Sequence, residues 1–135
     1  MDLERALRIS AAGMAAQSTR LRVVAENLAN RDSTGDSPGA EPFRRKTVTF
    51  GARLDRALAA ETVEVRRIGT APGDFPEVYD AGHPAADSRG YVKRPNVDSL
   101  VEMMDMREAQ RSYSANLSVL EVTRGMLTRT IEALR

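Results

Sequence analysis

The chain has 135 residues, the usual size of a single domain. Its 20 Lys and Arg residues nearly balance its 19 Asp and Glu residues, which argues against a protein that binds nucleic acid or a membrane surface through bulk charge. The absence of cysteine excludes disulfides, zinc–thiolate sites and iron–sulfur clusters. No apolar run approaches the ~20 residues of a membrane span. Charged residues interrupt the N-terminal apolar stretch, so we also expect no cleavable signal peptide.

Residues 1–30 are predicted to form one long helix. Apolar residues recur at alternating intervals of three and four, which is typical of a helix that packs along its length against another helix. Asp2 is expected to cap the start of the helix, and Asn30 to end it in the left-handed conformation. The apolar positions that we expect to pack are Leu3, Leu7, Met14, Leu21, Val24 and Leu28, with Ser10 and Gln17 as polar interruptions.

Residues 96–135 are predicted to form a second, longer helix. Asn96 or Asp98 can cap its start, because Pro95 cannot lie inside it. Its seam begins with Met103 and Met106 and is interrupted by Gln110 and Arg124. The positions that we expect to pack in its later turns are Tyr113, Leu117, Leu120, Leu127, Ile131 and Leu134.

The lengths of these two helices predict the shape of the molecule. A helix of this second length would extend ~55 Å, whereas a compact domain of this size is only ~37 Å across. We therefore predict a mainly α protein, an elongated, coiled-coil-like antiparallel hairpin of its terminal helices. Each helix buries only one stripe in the pair, so its remaining apolar surface needs other chains.

The middle segment, residues 31–95, differs in composition and is predicted to be extended and loop-rich. It holds all six prolines and seven of the nine glycines. Alternating patterns predict short strands at 46–50 and 61–68, and a third extended piece at 75–79. Residues 54–59 are predicted to form one or two helical turns. The domain organisation that follows is one helical core from residues 1–30 and 96–135, with 31–95 as a separate middle segment.

Residue types that could support catalysis are sparse. His83 is the only histidine, and a metal site needs several converging ligands, so we interpret it as a loop residue without a catalytic role. Ser37 lies in a Gly-Asp-Ser sequence that superficially resembles a hydrolase nucleophile, but it follows a helix rather than a buried strand. We expect no enzyme activity, no metal and no cofactor. A hydrolase that uses Ser37 is the weakest of three functional hypotheses; the other two are given below.

Several polar residues are candidates for contacts between subunits. Arg44, Arg45 and Lys46 form a basic cluster, whereas a nucleic-acid site usually presents a basic face across a whole element. Solvated charge and an inter-subunit contact both remain open for this cluster. Asn27, Asn30 and Asn116 are further candidates; such residues specify an assembly or mark where a seam meets water.

Gly13 and Gly125 lie inside the predicted helices, where glycine costs ~1 kcal/mol relative to alanine. If Leu3 were level with Arg135, the two glycines would face each other. They would then allow close approach of the two backbones; coincidence is the alternative.

Five segments together resemble the flagellar basal-body rod family. Residues 22–30 (Arg-Val-Val-Ala-Glu-Asn-Leu-Ala-Asn) are similar to the end of the first helix in flagellar rod and hook proteins, and 43–46 to the block that follows it. Residues 79–87 and 90–97 resemble the family's more specific stretches, and residues 111–116 resemble its C-terminal helix motif. One departure is Ala81, where the family pattern predicts proline.

The resemblance implies a structural subunit of the rod that assembles helically through its terminal helices and transmits torque. The implied partners are other copies of the chain, other rod proteins, the basal-body adaptor to the export gate and MS ring, and the flagellar type III export apparatus. It implies a place in the periplasmic rod, export without signal cleavage, and neither nucleic-acid binding nor membrane insertion. The alternative hypothesis is a soluble two-helix coiled-coil adaptor or homodimer without an export role.

Overall fold

The computed structural model describes residues 2–135, so Met1 of the predicted first helix lies outside the described residues. The described residues form two helices and four strands. In chain order they are α1 (Leu3–Ala29), β1 (Lys46–Asp55), β2 (Ala60–Thr70), β3 (Glu77–Tyr79), β4 (Tyr91–Lys93) and α2 (Ser99–Ala133). The predicted order, two long terminal helices with strands in the middle segment, is confirmed.

The helix ends show how local sequence sets the boundaries. The Asp2 carboxylate accepts a hydrogen bond from the backbone N–H of Arg5, and Asp98 caps α2 by accepting from two N–H groups of the first turn. Asn30 ends α1 as predicted, but its φ of −104° means that the expected left-handed conformation is wrong. Its side-chain amide instead donates to the Glu26 carbonyl at 2.8 Å, which satisfies one of the last free carbonyls of the helix.

The two helices pack against each other and run in opposite directions. Asn27 near the end of α1 bonds to Glu102 near the start of α2. Further along, a Cβ added at Gly13 would lie 2.7 Å from the Asn116 side chain. This register places Leu3 level with about residue 126, so the predicted pairing of Leu3 with Arg135, and of Gly13 with Gly125, is wrong. Residues 127–134 extend about 12 Å beyond the start of α1; we call them the α2 overhang.

Small and polar side chains dominate the buried surface of the helix pair. In α1 the buried residues are Ser10, Gly13, Ala16, Val23, Val24 and Asn27, and in α2 they are Glu102, Ala109 and Thr123. The predicted seam placed Met103, Gln110 and Arg124 on this line, yet all three are exposed. The buried residues of α2 each lie one position before these three, whereas Met106, Tyr113 and Leu120 of the predicted seam are half-buried.

The strands β1 and β2 form an antiparallel hairpin that lies against α1. Lys46 pairs with Thr70 at the open end and Asp55 with Ala60 at the turn, with a bulge after Thr49. Among the described residues the hairpin backbone packs against α1, and its strands β1 and β2 both take part in this contact. The helical turns predicted at 54–59 are wrong, because β1 continues to Asp55 and its carboxylate accepts two N–H groups of the tight turn that follows.

Candidate assembly surface

Asn27 joins the last turns of α1 to the first residue of β1. Its side-chain amide donates to the Lys46 carbonyl and accepts from the Lys46 N–H, both at 2.9 Å. This two-point contact imitates a neighbouring strand, and Asn27 is only 1% exposed. The hairpin therefore starts at a defined position on α1.

Glu102 brings α2 into the same cluster. None of its surface is exposed, yet both carboxylate oxygens have partners. One oxygen accepts from the Asn27 amide at 3.3 Å, and the other accepts from the Arg45 guanidinium. Arg45 also bonds to Asp105 at 3.3 Å, and Asp105 in turn bonds to Arg20 at 3.4 Å. A buried carboxylate is tolerated when it is paired and hydrogen-bonded in this way.

Asn96 ties the far strand of the hairpin to this cluster. Its carbonyl oxygen accepts from the Arg45 N–H at 2.7 Å, and its amide donates to the Ala71 carbonyl at 3.3 Å. The Ala71 N–H donates back to the Arg45 carbonyl at 2.8 Å. The residues that flank the open end of the hairpin, before β1 and after β2, are thus connected to both helices. We call the set Asn27, Arg45, Lys46, Asn96 and Glu102 the root network.

The basic cluster predicted to contact another subunit has partners within the chain. The Lys46 ammonium bonds to Glu26 at 2.8 Å, and this contact lowers the pKa of the Glu26 carboxyl. Arg44 donates to the carbonyls of Ala71 and Gly73 at 2.9 Å, and its guanidinium lies 4.3 Å from the centre of the Phe75 ring. Neutralising these charges does not need a neighbouring subunit, so an inter-subunit contact stays a prediction for Arg44, Arg45 and Lys46.

The other two asparagines also have local partners. Asn30 bonds to Glu26 and accepts from the Ser33 hydroxyl at 3.0 Å. Asn116 lies against Gly13 at the centre of the helix pair, and its amide donates to the Ser112 carbonyl at 3.0 Å. Their proposed role between subunits likewise stays a prediction.

Four residues of this cluster and its extension were not predicted from the sequence. Arg20, Asn96, Glu102 and Asp105 were not singled out as contact residues, although Asn96 was considered as a cap. The one available signal was a polar residue, Asn27, at a position beside the seam of α1. Its acidic partner is 75 positions away, so no local pattern could identify it.

The predicted packing residues divide into three groups by exposure. Val24 is buried between the helices. The half-buried members are Leu3, Leu7, Met14, Leu21, Leu28, Tyr113, Leu117 and Leu120. The three in the α2 overhang are exposed, at 38% for Leu127, 52% for Ile131 and 83% for Leu134. Since these three follow Thr123 at intervals of three and four, they continue the seam past the point where α1 begins.

The loop between β3 and β4 is tightly organised. The Asp87 carboxylate accepts from the N–H groups of Tyr91 and Arg89, which lowers the pKa of Asp87. The rings of Tyr79 and Tyr91 meet edge to face at 5.5 Å. His83 accepts from the Ala85 N–H through Nδ1 at 3.0 Å, and its Nε2 lies 3.2 Å from the Thr34 hydroxyl. These contacts connect the loop to the segment that follows α1.

Two searches for other kinds of site gave negative results over residues 2–135. Within this part of the chain, no helix has the length and apolar character needed to cross a membrane. No group of three acidic or histidine side chains within it is arranged to hold a metal ion.

Comparison with known proteins finds a flagellar rod family at each end of the chain. Residues 7–35 match the family described as flagella basal body rod protein, and residues 88–133 match the flagellar basal body rod FlgEFG protein C-terminal family. A relative from Agrobacterium fabrum, named flagellar basal-body rod protein FlgC, is 55% identical over 98% of this chain and 96% of its own length. Proteins of the same name from Aquifex aeolicus and Bacillus subtilis are 46% and 38% identical, each covering 98% of both chains.

Proposed function

The chain belongs to the FlgC family of flagellar basal-body rod proteins, and from this premise we propose that it builds the proximal rod by helical packing of its terminal helices. Its role is structural and not enzymatic, in keeping with the rod proteins to which it is similar. The α2 overhang is the observation that carries the proposal.

The overhang presents apolar side chains that are exposed in the described part of the chain. Leu127, Ile131 and Leu134 lie on the face that contacts α1 in earlier turns, and their exposed fraction rises from 38% to 83% as α2 passes the start of α1. Burying apolar surface contributes about 25 cal/mol per Å², so a neighbouring subunit that covers these residues gains stability. An end-to-end contact of this kind joins two different surfaces, and it generates a helical assembly when the rotation between copies does not close into a ring.

Torque transmission is supported by the way the helices pair. We propose an elongated, coiled-coil-like antiparallel hairpin formed by residues 1–30 and 96–135, from which the middle segment 31–95 reaches towards neighbours. Long contacts along helices resist shear, because sliding one helix past another must break many contacts together. The root network supports this arrangement by holding the hairpin against α1.

The wider set of partners follows from the family. We propose that this chain contacts other copies of itself, other rod proteins, and the basal-body adaptor to the export gate and MS ring. We also propose that it reaches the periplasmic rod through the flagellar type III export apparatus without signal cleavage. The alternative, a soluble coiled-coil adaptor or homodimer, is not favoured, because the relatives at 38–55% identity are named as rod proteins.

The proposal can be tested by making the overhang polar. In the test variant, Leu127, Ile131 and Leu134 are all replaced by glutamine, which keeps helix propensity high. The matched control replaces Thr128, Arg129 and Glu132, which are exposed neighbours in the same turns, by glutamine. Both variants should match the wild type in circular dichroism.

Isolated basal bodies give the deciding measurement. We expect them to contain the control variant at the wild-type level and to lack the overhang variant. Normal incorporation of the overhang variant would contradict the packing role of these three residues. Absence of the wild-type chain from basal bodies would contradict a role in the rod altogether.

A further inference from the structure

A second apolar surface on α2 has no partner among residues 2–135. It consists of Val101, Met104, Ala115, Val119, Val122 and Met126, which we call the α2 outer stripe. Val101, Ala115 and Val122 each immediately precede a residue of the α1-facing line, so the stripe lies about 100° round the helix from that line. Its large members are 43% to 63% exposed. α2 therefore carries two apolar stripes, and its packing against α1 covers only one of them.

The outer stripe is interrupted near its centre by charge. Glu108 lies between the apolar halves, and its side chain is 70% exposed. Arg111, three residues later, is also exposed and lies at the edge of the stripe. Within the chain it reaches Arg20 only at 4.0 Å. A surface that covers the stripe must therefore combine apolar contact at both ends with a cation near the middle.

The exposed face of α1 offers small side chains at both ends and a cation near the middle. It consists of Ala11, Ala15, Ser18, Arg22, Ala25 and Ala29, which we call the α1 outer face. Its residues are small except for Arg22, so large side chains of another helix can pack closely against its backbone. By helix periodicity this face points away from Gly13 and Asn27, which lie against α2. It cannot reach the outer stripe of its own chain.

The two surfaces match position by position when two copies lie side by side at the same level. The α1–α2 register puts Met104 level with Ala25 of the neighbour, and Val119 within one residue of the level of Ala11. Ala115 and Ala15 are likewise level to within one residue. In the same alignment Glu108 lies within one residue of the level of Arg22, so the anion of the stripe meets the cation of the face.

We propose that the α2 outer stripe of one copy packs against the α1 outer face of the next copy, and this inference rests on the proposed rod function. The contact joins two different surfaces, so it is heterologous and produces a ring or a helix of copies rather than a closed dimer. It is lateral, and is therefore distinct from the end-to-end contact proposed for the overhang.

Engineered disulfides test the lateral contact directly. The chain has no native cysteine, so Ala15→Cys combined with Ala115→Cys introduces one thiol on each surface. Each copy can then bond to two neighbours. After mild oxidation, basal bodies should give a ladder of dimers and higher oligomers on a non-reducing gel. The matched control, Ala15→Cys with Ser114→Cys, moves one thiol by a single residue to another exposed face at the same level, and should give no ladder.

A charge exchange supplies a second measurement that does not need oxidation. Arg22→Glu and Glu108→Arg should each lower the amount of the chain in basal bodies at least several-fold. The double variant should restore it towards the wild-type level, because it recreates the opposite charges across the contact. A ladder absent from assembled rods, an equal ladder in the Ser114 control, or no restoration in the double variant would overturn the lateral contact. Each of these results leaves the proposed rod function intact, whereas absence of the wild-type chain from basal bodies would contradict that function itself.

Discussion

The two ends of α2 follow the same three-and-four spacing but differ in what they bury. Where α2 lies against α1, its buried residues are Glu102, Ala109 and Thr123, which are small or polar. In the overhang the corresponding line holds Leu127, Ile131 and Leu134, and all three are exposed. Within one chain, close packing and paired polar groups hold the helices together. The large apolar residues of the overhang are exposed, so hydrophobicity alone does not identify the intramolecular seam.

Among the variants considered, removing the buried carboxylate of Glu102 should destabilise the packing of α2 against α1 most. Glu102→Ala leaves Arg45 and the Asn27 amide without their shared partner. We expect the free energy of unfolding to fall by about 3 kcal/mol, because removing one member of a buried pair leaves the other uncompensated. Urea denaturation of the purified chain measures this. Glu121→Ala, at an exposed position on the same helix, is the control; equal small losses in the two variants would contradict the role of Glu102.

Close approach at the middle of the helix pair can be tested at Gly13. Gly13→Leu forces a large side chain against Asn116, and we expect a loss of about 1–3 kcal/mol from overpacking. The control is Ala11→Leu, two residues away on the exposed face. The two urea midpoints should differ clearly. Similar midpoints would contradict the close approach, because they would mean that the helices can move apart at Gly13 without loss of stability.

Gly125 provides the contrasting case, because a Cβ added there would meet nothing within 4 Å. Gly125→Ala should stabilise the chain by up to ~1 kcal/mol through helix propensity alone. Gly13→Ala should gain less, since the Asn116 side chain must move and would lose its bond to Ser112. Thermal unfolding of the two single variants makes the comparison. A larger gain at Gly13 would contradict the register that separates the two glycines.

The smallest effect concerns a region outside the helix pair, the loop around Asp87. Its pKa lies below the ordinary aspartate range because the Tyr91 and Arg89 N–H groups favour the ionised form. The ionised carboxylate therefore stabilises the loop at neutral pH, and this contribution is lost as pH falls through the lowered folded-state pKa of Asp87. The amide NMR signal of Tyr91 should report this transition. In Asp87→Asn the acid transition should vanish; identical titration in both proteins would contradict the assignment.

The strand β1 is longer than the sequence pattern predicts, because it continues to Asp55. The alternating pattern predicts a first strand that ends at residue 50 and a helical turn at 54–59. In the structure β1 runs through Gly51, and the Arg66 side chain crosses the space that a Cβ would occupy before donating to the Ala52 carbonyl at 2.9 Å. Glycine here allows a close approach within the strand. The sequence contains the glycine, but it does not say which side chain will lie over it.

The root network was predictable only in part. Asn27, Arg45 and Lys46 were recognised as polar residues in notable places, and all three belong to the cluster. Their predicted partners were other subunits, whereas the structure gives each of them partners in its own chain. The contacts of Arg45 and Asn27 with Glu102 span 57 and 75 positions of sequence. Periodicity carries no information about pairs so far apart.

By itself the sequence determined the two terminal helices, the Asp2 cap and the strand-containing middle segment. Hydrogen bonds and apolar periodicity within a few residues are enough to specify these features. Only the tertiary structure decided which line of α2 faces α1, how far the overhang extends, and that Glu102 is buried rather than Met103. Rotating a helix by one residue leaves its periodicity unchanged. The choice depends on how closely the two backbones can approach and on which buried polar groups find partners, and both are set by residues far apart in the chain.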